Sequence, residues 1–146
     1  MLKTFLFSFS LLLIYLINLS NVTQKTILLI ASAFGALSVM IGAFGAHALA
    51  PILQASNRTD TFETAVKYQM YHTLALLAVG LLLFRVEHPA LQVAAWAFFI
   101  GILIFSGSLY TLCLTGITWL GAITPIGGTA LIVGWAALFY AIVKAL

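Results

Sequence analysis

The stretch TILLIASAFGALSVMIGAFGAH, residues 26–47, decides the fold class of this chain. It carries no charged residue before its final histidine, and its apolar residues do not alternate with polar ones. An α-helix needs about 20 predominantly apolar residues to cross a bilayer core, whereas a membrane β-strand shows alternation. The stretch therefore predicts a membrane-spanning helix whose glycines and terminal histidine need an explanation of their own.

The composition of the whole chain points the same way. Its 146 residues are 64% hydrophobic and 6% charged, and the mean hydropathy is +1.19. Because a soluble domain carries about 25% charged residues, most of this surface must face lipid. The net charge of +3 comes from scattered lysines and arginines, which is not the pattern of a nucleic-acid-binding surface. We expect the lipid bilayer, and no nucleic acid, as the partner of this surface.

Long apolar runs recur along the chain and predict an all-α integral membrane four-helix bundle. Each run is long enough to cross the membrane, and an open sheet could not satisfy its backbone there. The location that follows is multi-pass, in the plasma (bacterial inner) membrane. The predicted spans are residues 26–50, ending at Pro51, and residues 68–84, 91–114 and 117–143.

The polar segment SNRTDTFETAVKYQ, residues 56–69, lies between the first two spans and holds four of the nine charged residues. Asp60 suits a helix N-cap, and Glu63, three residues later, could reach back to it. Glu63 could also pair with Lys67 one turn further on. We predict an interfacial helix that continues directly into the second span.

The first 22 residues form an extra hydrophobic segment ahead of a single four-span domain at residues 23–146. Its apolar part, residues 4–19, would reach about 24 Å as a helix, against a hydrocarbon core of about 30 Å. A short span, a signal-like segment and a translation start further along the chain all fit this stretch.

Small residues form stripes along two of the predicted spans. In a bilayer, helices associate by close packing, which small side chains permit. The spacing of 4, 3, 4 and 3 residues in the first span places five of them on one helical face: Ala31, Gly35, Ser38, Gly42 and Gly45. In the fourth span, Gly121, Thr124 and Gly128 share a face. We predict that these stripes are helix-packing surfaces.

The motif TPIGG, residues 124–128, predicts an interruption within the fourth span. Pro125 has no N–H, so the carbonyl of Gly121 would lose its helical partner. Gly127 and Gly128 follow at once. The interruption is either an ordinary kink or a broken helix of the kind that exposes backbone groups to a transported substrate.

Two histidines flank the polar segment and are candidate site residues. His47 ends the first span and His72 begins the second, so both are expected at one membrane face. His47 points away from the glycine stripe. We predict that the two rings lie within about 10 Å of each other, spanned by one bridging group and two hydrogen bonds. The polar cluster would comprise His47, Gln69, His72, Ser108 and Tyr110. Structural strut, proton switch and metal or haem ligand are the three roles open to the histidines.

Five motifs together resemble a known family. GAFGAHAL, YQMYHTLALL, FSGSLY, TPIGG and the pair GW at residues 134–135 occur in this order. On these motifs the chain resembles the YgdD-like small inner-membrane proteins, the family of domain of unknown function 423, whose animal relatives are called transmembrane protein 256. The resemblance covers about residues 23–146. It implies a four-helix membrane protein and supplies no catalytic residues.

The predicted function is non-enzymatic: support of membrane integrity or of a membrane complex, with a second copy or another membrane protein as partner. The sequence contains no nucleophile elbow or phosphate loop, and Cys113 has no cysteine neighbour with which to build a metal site. We therefore predict no catalytic residue, no metal and no cofactor. One alternative is a small transporter or channel subunit that uses the break from Pro125 to Gly128. The other is a redox or quinone-linked protein that uses His47 and His72.

Overall fold

Helices make up the fold of the protein. A computed structural model of the chain describes residues 23–145, and those residues contain no strand. The all-α fold class is thereby confirmed, whereas the prediction of a separate segment at residues 1–22 lies outside the described residues. The elements are α1 Gln24–Ala46, α2 Ala50–Ala55, α3 Thr59–Leu82, α4 Pro89–Thr115, a 3₁₀ helix Thr118–Ala122, and α5 Thr124–Ala145.

The four long helices pack mainly in chain order. α3 lies between α1 and α4, and α4 lies between α3 and α5, where the contact is most extensive. Consecutive long helices run antiparallel, since Gln24 Nε2 at the start of α1 donates to the carbonyl of Leu83 at the end of α3, 2.8 Å away. The largest fully buried side chains of the core include Ile27, Leu76 and Phe98. α1 and α5 are thus the outer helices of the bundle.

Within residues 23–145, three helical stretches are long and apolar enough to cross a membrane: Gln24–Ala46, Pro89–Thr115 and Thr118–Ala145. α3 has 24 residues, about 36 Å of helix, but its first turns are polar. The outer helices expose large apolar side chains to their surroundings, among them Val39, Phe44, Ile132 and Phe139. The molecule is therefore a helical membrane bundle, with α3 the least apolar of its four long helices.

The end of the first span differs from the prediction. α1 ends at Ala46, and His47 is its C-cap, so the predicted end at residue 50 is four residues too late. Pro51 lies in the first turn of the short helix α2. Proline is favoured there, because the first N–H groups of a helix have no partner within the helix. Pro51 begins a new helix, so it does not mark the end of α1 itself.

The polar segment differs in one detail. It is continuous with the second span, as predicted, but α3 begins at Thr59, so Asp60 lies in its first turn. Arg58 is the N-cap and makes no side-chain capping bond. Glu63 pairs with Lys67 at 2.8 Å and is thereby held away from the helix start. The prediction of Asp60 as N-cap was wrong, because Thr59 already continues the helix.

Candidate functional site

The centre of the bundle contains one polar connection across three helices, which we call the Gln69 bridge. Gln69, on α3, is 5% exposed. Its Nε2 donates to the carbonyl oxygen of Phe34 on α1 at 3.2 Å, and its Oε1 accepts from the hydroxyl of Tyr110 on α4 at 2.9 Å. A side-chain amide carries donors and an acceptor, so one residue fixes both neighbours of α3.

Further bonds continue along the α3–α4 interface. Ser106 Oγ donates to the carbonyl oxygen of Ala65 at 2.8 Å, and both groups are buried. Ser106 and Tyr110 are four residues apart on α4, and so are Ala65 and Gln69 on α3. Because the helices run antiparallel, Tyr110 lies nearer than Ser106 to the start of α3, and its side chain reaches back along α3 to Gln69. The ring of Tyr110 also packs 5.2 Å from that of Phe62, centroid to centroid. Tyr110 thus contacts α3 at two positions about two helical turns apart, Phe62 and Gln69.

His72 lies next to the Gln69 bridge but belongs to an aromatic cluster. Its Nδ1 is 2.8 Å from the carbonyl oxygen of Tyr68. A carbonyl can only accept, so Nδ1 carries the proton in this contact. The ring lies 5.9 Å from that of Phe98 and 6.2 Å from that of Trp135, centroid to centroid. His72 thereby joins α3 to α4 and α5 through ring contacts.

His47 lies at a different depth and does not join His72. It is exposed at the end of α1. Gly45 faces Phe62, whereas Gly35 faces Thr73, so His47 is level with the first turn of α3. Twelve residues of helical rise then separate the two histidines, about 18 Å along the axis. The predicted separation of about 10 Å was wrong, because α3 begins well before His72. Two imidazole nitrogens on one tetrahedral metal ion lie only about 3.3 Å apart, so the pair does not form a shared ligand set.

Ser108 also has a partner outside the predicted cluster. Its Oγ lies 2.8 Å from Oγ1 of Thr124, the first residue of α5. It also donates to the carbonyl oxygen of Phe105 at 3.0 Å. Of the five residues predicted to cluster, the structure joins Gln69 and Tyr110 directly. His72 stands beside them on α3, Ser108 binds Thr124, and His47 lies apart.

The TPIGG motif begins a helix. α5 starts at Thr124, which places Pro125 in its first turn, where the missing N–H removes no helical bond. The 3₁₀ helix ends just before it, at Ala122, and Gly121 within it faces Leu112. The change of helix type therefore precedes Pro125 instead of following from it. The prediction of a kink caused by Pro125 inside a span needs this correction.

Gly127 marks the closest approach of α5 to α4. A Cβ placed on Gly127 would lie 2.8 Å from the Cα of Phe105, a distance that real side chains do not tolerate. Gly128, one residue on, would have its Cβ 3.7 Å from the Phe105 ring, an ordinary contact. Gly134 is equally close to α4, but there the neighbour is a side chain. A Cβ placed on Gly134 would lie 2.6 Å from Cε1 of Phe98. These positions are occupied by the neighbouring helix, so the backbone near Gly127 is not presented to a substrate.

The small-residue stripe of α1 lies against α3. Ala31 and Ser38 are buried, and the Ser38 hydroxyl donates to the Phe34 carbonyl at 2.9 Å. A Cβ on Gly45 would lie 2.5 Å from Cε1 of Phe62, whereas one on Gly42 would lie 3.3 Å from Cγ1 of Val66. A Cβ on Gly35 would lie 3.8 Å from Cγ2 of Thr73, an ordinary contact. Among the glycines of this stripe, Gly45 thus has the tightest contact with α3.

Sequence reasoning missed two parts of the interface. The carbonyl oxygen of Phe34 accepts hydrogen bonds from both Gln69 and Ser38. Every residue has a backbone carbonyl, so the sequence does not indicate which one serves as the acceptor. Ser106 was visible within the FSGSLY motif, but nothing in its spacing identified Ala65 as its partner. The hydroxyl of Thr73 is buried with no hydrogen-bond partner among the described residues. The polar groups gathered here hold helices together, and the described residues contain no group of three or more histidine, cysteine or acidic side chains that could bind a metal.

Comparison with known proteins agrees with this picture of a multi-pass helical membrane protein. The chain belongs to the family described as "Protein of unknown function (DUF423)", which matches residues 41–128. A membrane protein of Staphylococcus epidermidis, named UPF0382 membrane protein, is 42% identical over 121 residues, 83% of this chain and 98% of the relative. YwdK of Bacillus subtilis, with the same family name, is 40% identical over 122 residues, with 83% and 98% covered. The Escherichia coli inner membrane protein YgdD is 30% identical over 128 residues, 84% and 92% of the two chains.

No solved structure matches the chain. The family match begins within α1 and ends within the first turns of α5. It therefore includes Gln69 and Tyr110 of the Gln69 bridge, the α3–α4 interface and the TPIGG motif, while Phe34 lies before it. The resemblance identified from the five sequence motifs is confirmed, and the chain is a membrane protein of this family.

Proposed function

We propose that this protein is a non-enzymatic scaffold of the bacterial inner membrane, which supports a membrane complex of its own copies or of another membrane protein. The observation that carries the proposal is the Gln69 bridge. Its amide uses both ends to hold α1 and α4. Such a group stabilises a fixed arrangement of helices, which is what a scaffold needs. The inner-membrane location is supported by the E. coli relative, which is named an inner membrane protein.

Other polar side chains of the bundle are used in the same way. Ser106 bonds across α4 and α3, and Ser108 bonds from α4 to the start of α5. Interhelical hydrogen bonds of this kind contribute about 0.6 kcal/mol on average in a membrane protein. Spread over three interfaces, they favour one packing arrangement of the four long helices. These bonds support the proposal that a fixed arrangement of the four long helices is what the protein needs for its function.

The outer helices supply the surface that such a scaffold would offer. α1 exposes Leu29, Val39 and Phe44, and α5 exposes Ile132 and Phe139. Each outer helix packs mainly against a single neighbour in the bundle. Their remaining faces are available to lipid or to a partner helix. The proposal therefore places the partner against α1 or α5.

Two findings favour the scaffold over the alternatives. A transporter built on the TPIGG motif would present backbone near Gly127, but the Phe105 backbone fills that position. A redox centre built on His47 and His72 would bring the two rings together, but about 18 Å of helical rise separates them. A transporter or a redox protein would therefore need a site made of residues other than the TPIGG motif or the pair of His47 and His72.

Photo-crosslinking in cells at native expression tests the scaffold. A photoreactive amino acid replaces Phe139, which is 71% exposed, or Val39, which is 64% exposed, and the matched control replaces Phe98, which is 0% exposed. We expect a discrete protein adduct from at least one outer position and none from Phe98. If the chain keeps its monomer mass after crosslinking from both outer positions, the scaffold proposal would be contradicted.

A further inference from the structure

A groove separate from the Gln69 bridge lies where α1 ends and α3 begins. We call it the α1–α2–α3 groove. It has a volume of about 450 Å³, and its walls come from the last turns of α1, from α2 and from the first turns of α3. Its apolar floor includes Leu53 and Phe62, and its rim includes Gln54, Thr59, Glu63 and Lys67.

The groove exists because of glycines and of the short helix. Gly42 and Gly45 line it and contribute no side chain, and Ala46 adds only a methyl group, so a ligand could lie close to the backbone of α1. α2 folds back over the gap, and its Leu53 is 1% exposed. The α2–α3 connection is closed by a backbone bond from the Arg58 N–H to the Leu53 carbonyl at 2.8 Å. A concave apolar surface results at the polar end of the bundle.

The rim carries one charge of each sign. Lys67 Nζ lies 2.8 Å from Oε2 of Glu63, and the two side chains are 58% and 55% exposed. The hydrogen bond that Lys67 donates to the Glu63 carboxylate raises the pKa of Lys67, so the ammonium stays charged at neutral pH. Both groups remain open to a ligand, because neither is enclosed by the fold. An anion would approach Lys67, and a cation would approach Glu63.

The surroundings place the groove at a lipid–water boundary. The charged first turns of α3 lie on one side of it. On the other side, α1 continues with the exposed apolar residues Met40 and Phe44. A molecule seated in the groove would therefore have charges on its rim and, beyond the groove, the lipid-exposed surface of α1. An amphiphile already present in the bilayer has this division.

We propose that the α1–α2–α3 groove binds the head of a zwitterionic phospholipid, one that carries both a phosphate and a primary ammonium. Lys67 contacts the phosphate and Glu63 contacts the ammonium, while the apolar floor covers the glycerol region. The acyl chains then lie along the outer face of α1. This inference goes beyond the scaffold role, since the groove could hold a lipid whether or not a partner protein is bound.

Native mass spectrometry of the full chain in mild detergent tests the site, with phosphatidylethanolamine and phosphatidylglycerol added in equal amounts. We expect phosphatidylethanolamine to be retained in preference. Glu63→Gln should lower its retention about two- to fivefold, the effect of one exposed ionic contact, and leave phosphatidylglycerol unchanged. Lys67→Gln should lower the retention of both lipids. Lys144→Gln, at the opposite end of the bundle, should change neither.

A second pair of variants tests the groove itself. Ala46 lines it and is exposed, so Ala46→Leu should fill part of the space and reduce retention of both lipids. Ala43 is exposed on the same helix but does not line the groove, so Ala43→Leu should retain lipid as the unmodified chain does. Equal retention of the two lipids by the unmodified chain would overturn the proposal. So would retention that none of the groove variants alters.

Discussion

Gln69 shows how much of the arrangement rests on single residues. It is a polar residue in the middle of an apolar bundle, and its cost of burial is offset only because both ends of its amide are bonded. An unsatisfied buried polar group costs about 1–3 kcal/mol. Removing Gln69 therefore also affects the hydroxyl of Tyr110, which loses its acceptor.

We expect Gln69→Leu to lower the free energy of unfolding in detergent by about 1–2 kcal/mol, because two interhelical bonds are lost. Tyr110→Phe should cost less, since it removes one of those bonds. Thermal unfolding of the two single variants and the double variant measures the coupling between them. Fully additive effects would contradict the Gln69 bridge, because residues in contact show an interaction energy.

The proton on His72 can be observed directly. Its contact with the Tyr68 carbonyl requires a protonated Nδ1, so we expect the neutral ring to be the Nδ1–H tautomer. Nitrogen NMR of histidine-labelled protein distinguishes the tautomers by the shifts of the two ring nitrogens. The His72→Asn variant assigns the signals. An Nε2–H tautomer would mean that the contact with Tyr68 does not form.

The histidines also show where residue-scale reasoning fails. The ends of consecutive helices do meet at one face of the bundle, as the sequence implied. However, the second span was taken to begin near Tyr68, whereas α3 begins at Thr59. The first turns of α3, which were predicted to lie in the interface, already pack against the end of α1, where Gly45 faces Phe62. His72 consequently lies well inside the bundle and His47 at its edge.

Helix pairing depends on where glycines meet a neighbouring backbone. Gly127 and Gly128 are adjacent, yet only Gly127 faces the backbone of α4. Periodicity identified Gly128 as part of a packing stripe with Gly121 and Thr124. It could not show which of two adjacent glycines is closest to Phe105, because that depends on the rotation and position of the partner helix.

These adjacent glycines offer a matched pair of variants. Gly127→Ala should destabilise the protein by about 1–3 kcal/mol, since an added methyl group forces the α4–α5 contact apart. Gly128→Ala should be neutral or stabilising by up to about 1 kcal/mol, because alanine is the better helix former. Melting temperatures in the same detergent compare them. Equal destabilisation by the two variants would count against this packing.

The termini of the elements were harder to predict than the elements themselves. Apolar length gave α1 and α4 to within a few residues, because the bilayer sets a minimum span. Pro51 and Pro125 were both interpreted as interrupting a helix, and both begin one. The residue alone does not distinguish these cases, since proline is disfavoured inside a helix and favoured in its first turn.

On the scale of the whole molecule, the distribution of charges predicts an orientation in the membrane. Lys25, Arg85 and Lys144 belong to the end of the bundle where α1 begins and α5 finishes, and Arg58 and Lys67 to the other. The positive-inside rule then assigns the first end to the cytoplasm. The composition could predict that the chain resides in a membrane. The order of helix packing required the structure, because every apolar face looks alike in the sequence.

Reporter fusions test this orientation and the crossing of α3 together. After Leu146, a reporter that is active only in the cytoplasm should give a signal. At Asn57, in the turn between α2 and α3, a signal should come only from a reporter that is active outside the cytoplasm. A third reporter at Glu87, beyond α3, should again be cytoplasmic. The same location for the reporters at Asn57 and Glu87 would show that α3 does not cross the membrane.

The chain-order packing of the long helices has a consequence for biogenesis. α3, α4 and α5 each pack against the long helix made just before them, so these contacts can form as synthesis proceeds, without waiting for the C-terminus. α3, the least apolar of the four, leaves the ribosome when the glycine-lined face of α1 is already in place. Its polar middle can then enter the bilayer against a helix rather than against lipid. Early synthesis of α1 thus provides the surface on which a marginally hydrophobic helix can insert.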